Sequence, residues 1–246
     1  MSAVLMYHRV ADAGADPHGL CVPPHEFRAQ MQQLRDGGCR VVALHELVAA
    51  ATGGDLDERA VSLTFDDGYQ DAVTHAAPIL QAFGFPATFF VVGAALDPDH
   101  TFWWDEGRRA AMTAGDVRRL SRVPGMSIGA HSQQHLSLPT LSTADKKADI
   151  DACKARLEAV VEQPVRAFSY PYGHVDAETV QCVRASGFEI AVTTDARPVT
   201  PDVDPLLVPR FEVRRHVSIA RYVDATSAPG PSATTRPFSS SSARGQ

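Results

Sequence analysis

Hydrophobic and polar positions along this chain change period again and again, from continuous apolar runs of four to six residues to helical spacings of three and four. Ala3-Val-Leu-Met-Tyr7 reads as a short buried strand. After Pro23-Pro24, Phe27, Met31 and Leu34 fall at i, i+4, i+7, which predicts an amphipathic helix stopped by Gly37-Gly38. Val41 to Leu44 is a second strand candidate, followed by a short helix through Leu47 to Ala50 and a turn over Thr52 to Asp55. Val61 to Phe65 predicts a third strand ending in Asp66-Asp67-Gly68, and a helix over Ala72 to Phe83 leads to the β-branched and aromatic run Ala87 to Val92. The alternation continues through Met126 to Ala130, a long helix from Thr143 to Glu162, Ala167 to Tyr170, a helix ending at Gly187, Ile190 to Thr193 and Leu206 to Val208. Alternating βαβα over some 200 residues argues for an α/β fold, a parallel sheet with helices outside. About seven strands would pack naturally as a closed or partly closed barrel, with an open doubly wound sheet as the alternative. We assign one domain to residues 1–226. Residues 227–246, rich in Ser, Pro, Ala and Thr, are expected to be a disordered tail.

Composition narrows the function classes. A net charge of −6 disfavours a nucleic-acid or anionic-membrane partner held by a basic surface. No apolar run reaches the roughly 18 residues of a membrane helix, and the N-terminus lacks the features of a signal peptide. A cytoplasmic location is therefore expected, or an extracytoplasmic one if a leader has been removed. Cys21, Cys39, Cys153 and Cys182 are scattered and form no CxxC, so buried free thiols are expected. Nothing in the sequence speaks to oligomeric state.

Three stretches carry candidate chemistry, each at a predicted strand end, where α/β proteins build their sites. Thr64-Phe-Asp-Asp-Gly68 offers two adjacent carboxylates, although Asp-Gly is also an ordinary turn. His131-Ser-Gln-Gln-His135 places two imidazoles four residues apart, close enough to share an ion. Phe168-Ser-Tyr-Pro-Tyr-Gly173 runs from a strand into a Pro- and Gly-shaped loop. Each alone has a bland explanation; their coincidence is harder to explain as packing. One Asp and two His leave coordination positions open, as at a catalytic zinc, and free the second Asp to act as a base.

On these residues the chain resembles the polysaccharide deacetylase family, also called NodB-homology or carbohydrate esterase family 4. TFDDG stands unaltered at Thr64 to Gly68, H-[ST]-x-x-H is matched by His131 to His135, and the P-Y-G end of the third motif by Pro171-Tyr172-Gly173. The resemblance implies a distorted (β/α)7 barrel and a metal held by Asp67, His131 and His135, zinc first, with cobalt, nickel or iron as alternatives. It further implies Asp66 as general base and the backbone N–H of Tyr172 as oxyanion donor, with Tyr170, Pro171 and Gly173 near the substrate. The substrate implied is an N-acetylated amino sugar, in a polysaccharide, an oligosaccharide or a lipid-linked precursor. A metal-dependent hydrolase of a small amide or imide, or a non-catalytic carbohydrate-binding relative, is the alternative.

Two departures matter. Most members carry an Arg three residues before the motif tyrosine, where this chain has Ser169, and the C-terminal Leu-x-His that often supplies the general acid is missing. Tyr7-His8-Arg9-Val10, followed by Pro24 to Phe27, resembles the branch acting on poly-N-acetylglucosamine and related exopolysaccharides. There an N-terminal histidine serves, so His8 is preferred over the late His216 as the acid. Arg210, in Val-Pro-Arg, is a candidate to approach Asp66 in place of the missing Arg or to meet substrate. Trp104, in Trp103-Trp104-Asp105, is a candidate sugar platform, and His174 a candidate substrate contact. His18, His25, His45, His75 and His100 are expected at the surface or in packing.

Overall fold

The computed structural model describes residues 2–12, 16, 18–97, 102, 110–219 and 222. In chain order it contains β1 (Ala3–Tyr7), β2 (Arg9–Val10), β3 (Cys21–Val22), α1 (Pro24–Asp36), β4 (Arg40–Val41), α2 (Leu44–Gly53) and β5 (Ala60–Phe65). There follow α3 (Ala77–Phe83), β6 (Ala87–Val91), α4 (Ala114–Leu120), β7 (Met126–Ala130), α5 (Thr143–Val161), β8 (Ala167–Ser169), α6 (Ala177–Ala185), β9 (Ile190–Val192) and β10 (Phe211–Glu212).

Seven strands run side by side in the order β10-β1-β5-β6-β7-β8-β9, every pairing parallel. β4 pairs with the first two residues of β5, on the side opposite β1. The sheet curls until its two ends approach. Val192 of β9 bridges Val208, whose carbonyl accepts from the Thr193 N–H at 2.8 Å and whose N–H donates to Ala191 at 2.9 Å. Val208 lies just before β10, so the segment 208–212 runs from one sheet edge to the other. This is the α/β barrel-like architecture expected from the alternation.

Why these segments form strands is plain from burial. β1, β5 and β6 are buried on both faces, which requires the near-continuous apolar runs seen in their sequences. Between the sheet and the helices, Phe65 stacks on Tyr7 and Phe89 with ring centroids 5.4 and 4.8 Å apart, and Phe27 of α1 closes edge-on against Tyr7. Pro24 opens α1 at a position where its missing N–H costs nothing.

Three expectations are corrected. The strand read over Val41 to Leu44 is only Arg40–Val41, because Leu44 already begins α2, buried with Leu47, Val48 and Ala51. The helix from Ala72 begins as a π-helical turn, Ala72–Ala76, before continuing as α3. The strand read over Leu206 to Val208 lies further on at Phe211–Glu212, with Val208 contributing a single bridge. Trp103, Trp104 and the tail 227–246 lie outside the described residues. Among those described, no helix is long and apolar enough to cross a membrane.

Candidate metal centre

The register of the sheet brings the sequence motifs to one end. β1 and β5 are in step, Tyr7 opposite Phe65, so the next residues, His8 and Asp66, emerge side by side at their carboxyl ends. The Asp66 N–H donates to the Tyr7 carbonyl at 2.9 Å. β7 delivers His131 at its own carboxyl end, and β8 ends at Ser169 beside it.

The loops there are strained in a consistent way. Asp67 (φ 75°), Ser132 (φ 61°), His135 (φ 52°) and Tyr172 (φ 60°) all occupy the left-handed region, which costs a non-glycine residue of order 1–3 kcal/mol. Local bonds hold these conformations. The Ser132 hydroxyl accepts from the His135 N–H at 2.9 Å, and the Asp149 carboxylate of α5 accepts from the N–H groups of Gln133 and Gln134 at 2.8 and 3.0 Å. Gly173 is required by contact as well as by φ 69°: a Cβ there would sit 2.0 Å from Thr194 Oγ1.

Asp67, His131 and His135 are all buried and converge. Asp67 Oδ1 lies 3.4 Å from His131 Nε2 and 3.5 Å from His135 Nε2, and the three donor atoms fall within 4.8 Å of one another. Ligand atoms about 2.0–2.1 Å from a tetrahedral zinc are about 3.3 Å apart, so this set fits such an ion. His131 Nδ1 meets the Ser169 carbonyl at 2.8 Å, which places a proton on Nδ1 and leaves Nε2 turned toward Asp67 Oδ1. Burial, together with the charge of His131, pushes the His135 imidazole down to about 3, so its lone pair is available at neutral pH.

Asp66 turns away to a different partner. Arg210 is wholly buried and reaches across the barrel interior, its two terminal nitrogens donating to Asp66 Oδ1 and Oδ2 at 2.7 and 2.6 Å. The remaining guanidinium N–H groups meet Thr64 Oγ1, Ser169 Oγ and the Thr193 carbonyl. Ser169 in turn donates to Asp66 Oδ2 at 3.0 Å. Burial alone would push the Asp66 carboxyl up, but the charges of Arg210 and His131 outweigh it and hold the group well below the usual carboxylate range. Arg210 therefore approaches Asp66, as expected from the sequence, and the small Ser169 hydroxyl fits between guanidinium and carboxylate. With every N–H satisfied inside the core, Arg210 has none left for a substrate.

His8 is half-buried and is an electrostatic neighbour of Asp66, Asp67 and His135. A clamp on the following residues fixes its strand: Arg9 pairs with Asp71 at 2.8 Å and lies 5.0 Å over the Tyr69 ring, and the Asp71 carboxylate also accepts from the Val10 N–H. His216 stands elsewhere, its side chain 75% exposed and its ring 3.2 Å from Glu26. Of the third-motif residues, Pro171 is buried and Tyr172 is 43% exposed beside His135. Tyr170, read from sequence as a substrate contact, is a core residue: it is fully buried and its hydroxyl donates to the Leu206 carbonyl at 3.0 Å. His174 is exposed and meets Ser137 Oγ at 2.9 Å.

Sequence reasoning missed Asp149 and Asp71. Neither belongs to a motif, and each acts through backbone amides far along the chain. The only signal for Asp149 is an acidic residue on the helix after the His-x3-His loop, which is too common to single out.

A sequence profile described as polysaccharide deacetylase matches residues 53–191, more than half of the chain and including all three motifs. The chain belongs to the polysaccharide deacetylase family. Among family relatives, YxkH of Bacillus subtilis strain 168 is 28% identical over 200 residues, covering 81% of this chain and 66% of its own length. The poly-beta-1,6-N-acetyl-D-glucosamine N-deacetylase of Escherichia coli strain K12 is 27% identical over 225 residues, covering 78% of this chain. The chain spans only 34% of that relative's length. Among solved deacetylases, PplD of Streptococcus pyogenes, in complex with acetate, superposes with a TM-score of 0.79 at 25% identity, covering 92% of this chain and 98% of its own. IcaB from Ammonifex degensii gives 0.78 at 26% identity, covering 86% and 91%.

Proposed function

We propose that this polysaccharide deacetylase is a zinc-dependent N-deacetylase acting on N-acetylglucosamine-type units of a polysaccharide, an oligosaccharide or a lipid-linked precursor, and that it releases acetate. The observation that carries the reading is the division of labour between two neighbouring carboxylates: Asp67 faces two imidazole nitrogens at 3.4 and 3.5 Å, while Asp66 is held ionised by Arg210. Relatives from Escherichia coli and Staphylococcus epidermidis, both named as poly-beta-1,6-N-acetyl-D-glucosamine N-deacetylases, support the sugar class.

In this reading Asp67, His131 and His135 hold the ion. When bound, it supplies Lewis-acid polarisation of the acetamide carbonyl and makes an attacking water more acidic. Asp66 takes the proton of that water; the Arg210 contacts fix its carboxylate orientation throughout. The Tyr172 N–H, presented by the strained 171–173 turn, donates to the carbonyl oxygen as negative charge develops on it. His8 protonates the departing amine, a step required because an amide anion is a poor leaving group. Its place beside Asp66 at the end of β1 supports this role over His216.

The test is acetate release from N-acetylglucosamine oligomers by protein reconstituted with zinc, cobalt, nickel or iron, beside Asp66→Asn. Release by the wild type, with none by a folded Asp66→Asn that still binds metal, is expected. Equal turnover by both would overturn the base assignment, and no release by metal-loaded wild type would overturn the substrate class.

A further inference from the structure

Both candidate metal ligands from the second motif need a partner at Nδ1 to hold the ring and set its tautomer, and the two partners differ in kind. His131 has a backbone carbonyl at 2.8 Å, fixed by β8. His135 has the phenol of Tyr172, its Oη 3.2 Å from Nδ1. The same hydroxyl lies 3.3 Å from the His135 carbonyl oxygen and donates to it. A hydroxyl that donates to a carbonyl has its lone pairs left for an N–H, so the network is satisfied when His135 carries its proton on Nδ1. Nε2, 3.5 Å from Asp67 Oδ1, is then the unprotonated nitrogen. The two rings meet nearly edge to face, 4.6 Å between centroids at 65°, and this limits rotation of the imidazole.

We infer that the Tyr172 hydroxyl is a positioning group for the metal centre, orienting His135 and fixing its Nδ1–H tautomer so that Nε2 faces the ion. This rests on the metal reading above and adds a second role for Tyr172, separate from its backbone N–H. It also explains a feature that packing does not. Tyr172 is one of only two large hydrophobic side chains standing exposed among the described residues, and its backbone is held at φ 60°, yet its hydroxyl is turned inward to His135 and not to solvent. The strained turn aims the phenol and the backbone N–H together, so the geometry of one is tied to that of the other.

Tyr172→Phe removes the hydroxyl and keeps the ring, the backbone N–H and the edge contact. Two readouts separate the inference from a general loss of structure. Zinc affinity, measured by competition with a chromophoric chelator at neutral pH, should fall about tenfold or more, the usual effect of losing an outer partner of a metal-bound histidine, with circular dichroism and thermal midpoint close to wild type. Long-range 1H–15N spectra of the metal-free protein should show His135 as the Nδ1–H tautomer in wild type and as an Nε2–H or mixed population in Tyr172→Phe. Unchanged zinc affinity and an unchanged His135 tautomer would overturn the inference. Failure of wild type itself to bind zinc would overturn the metal reading instead, and the nitrogen spectra would still decide the role of the hydroxyl.

Discussion

Arg210 offers a quantitative test of how the site is held together. Its guanidinium is fully buried and all five N–H donors have acceptors, two of them on Asp66, itself only 3% exposed. Arg210→Met keeps much of the volume but leaves a buried carboxylate with the Ser169 hydroxyl as its remaining side-chain donor. Removing one partner of a buried ion pair costs about 3–5 kcal/mol, since the other charge stays desolvated. Asp66→Asn leaves the guanidinium uncompensated and should cost a similar amount. Against a typical domain stability of about 5–15 kcal/mol, either single variant should still fold. The double variant leaves neither charge stranded, so it should lose less than the sum of the two, with a coupling of about 2–3 kcal/mol. Urea unfolding of all four proteins, followed by far-ultraviolet circular dichroism at neutral pH in the presence of a chelator, measures the cycle. A coupling near zero, or an Arg210→Met loss under about 1 kcal/mol, would refute the ion-pair account.

Asp149→Ala removes the acceptor for the Gln133 and Gln134 N–H groups and should loosen the turn carrying His135. Zinc affinity is expected to drop about tenfold, with Asp149→Asn retaining part of it; equal affinity in wild type and Ala variant would count against the turn's dependence on Asp149. Cys21, Cys153 and Cys182 are buried, and burial pushes the Cys153 thiol up to about 12. A raised value means less thiolate at any given pH: at pH 8 the reactive form is about one part in ten thousand. A disulfide reagent should therefore label Cys39 first in the native protein and all four thiols in denaturant; rapid native labelling of Cys153, located by peptide mass, would contradict the packing.

The alternation of apolar runs with helical spacings was legible because strands buried on both faces must be continuously apolar, and β1, β5 and β6 are. It failed where an element is only two residues long. β4 has too few residues to show a period, and β10 is announced less clearly than Leu206 to Val208, whose apolar side chains serve packing at the sheet edge. The three motifs were legible as chemistry because each sits at a strand end with few packing reasons for its residue types. Arg210 could be suspected only from what Ser169 lacked; its position follows from β1 pairing in parallel with both β5 and β10, which no local pattern reveals. Tyr170 misled for a related reason. A tyrosine beside Pro-Tyr-Gly reads as part of the loop, but alternation turns it to the face opposite Ser169, where it packs on Phe168 and Leu206 takes its hydroxyl.

The Asp66–Arg210 pair joins residues 144 positions apart, with Asp66 made first and its counter-charge only near the end of the described sheet. A ribosome extending this chain therefore makes Asp66, Asp67 and both second-motif histidines well before it makes the cation that keeps Asp66 ionised in a dry interior. Until the last strand docks, closing the curl around Asp66 carries the full cost of burying a lone carboxylate. The nascent chain is thus biased against shutting the barrel early, and the Asp66–Arg210 contact forms only when nearly the whole sheet has been produced.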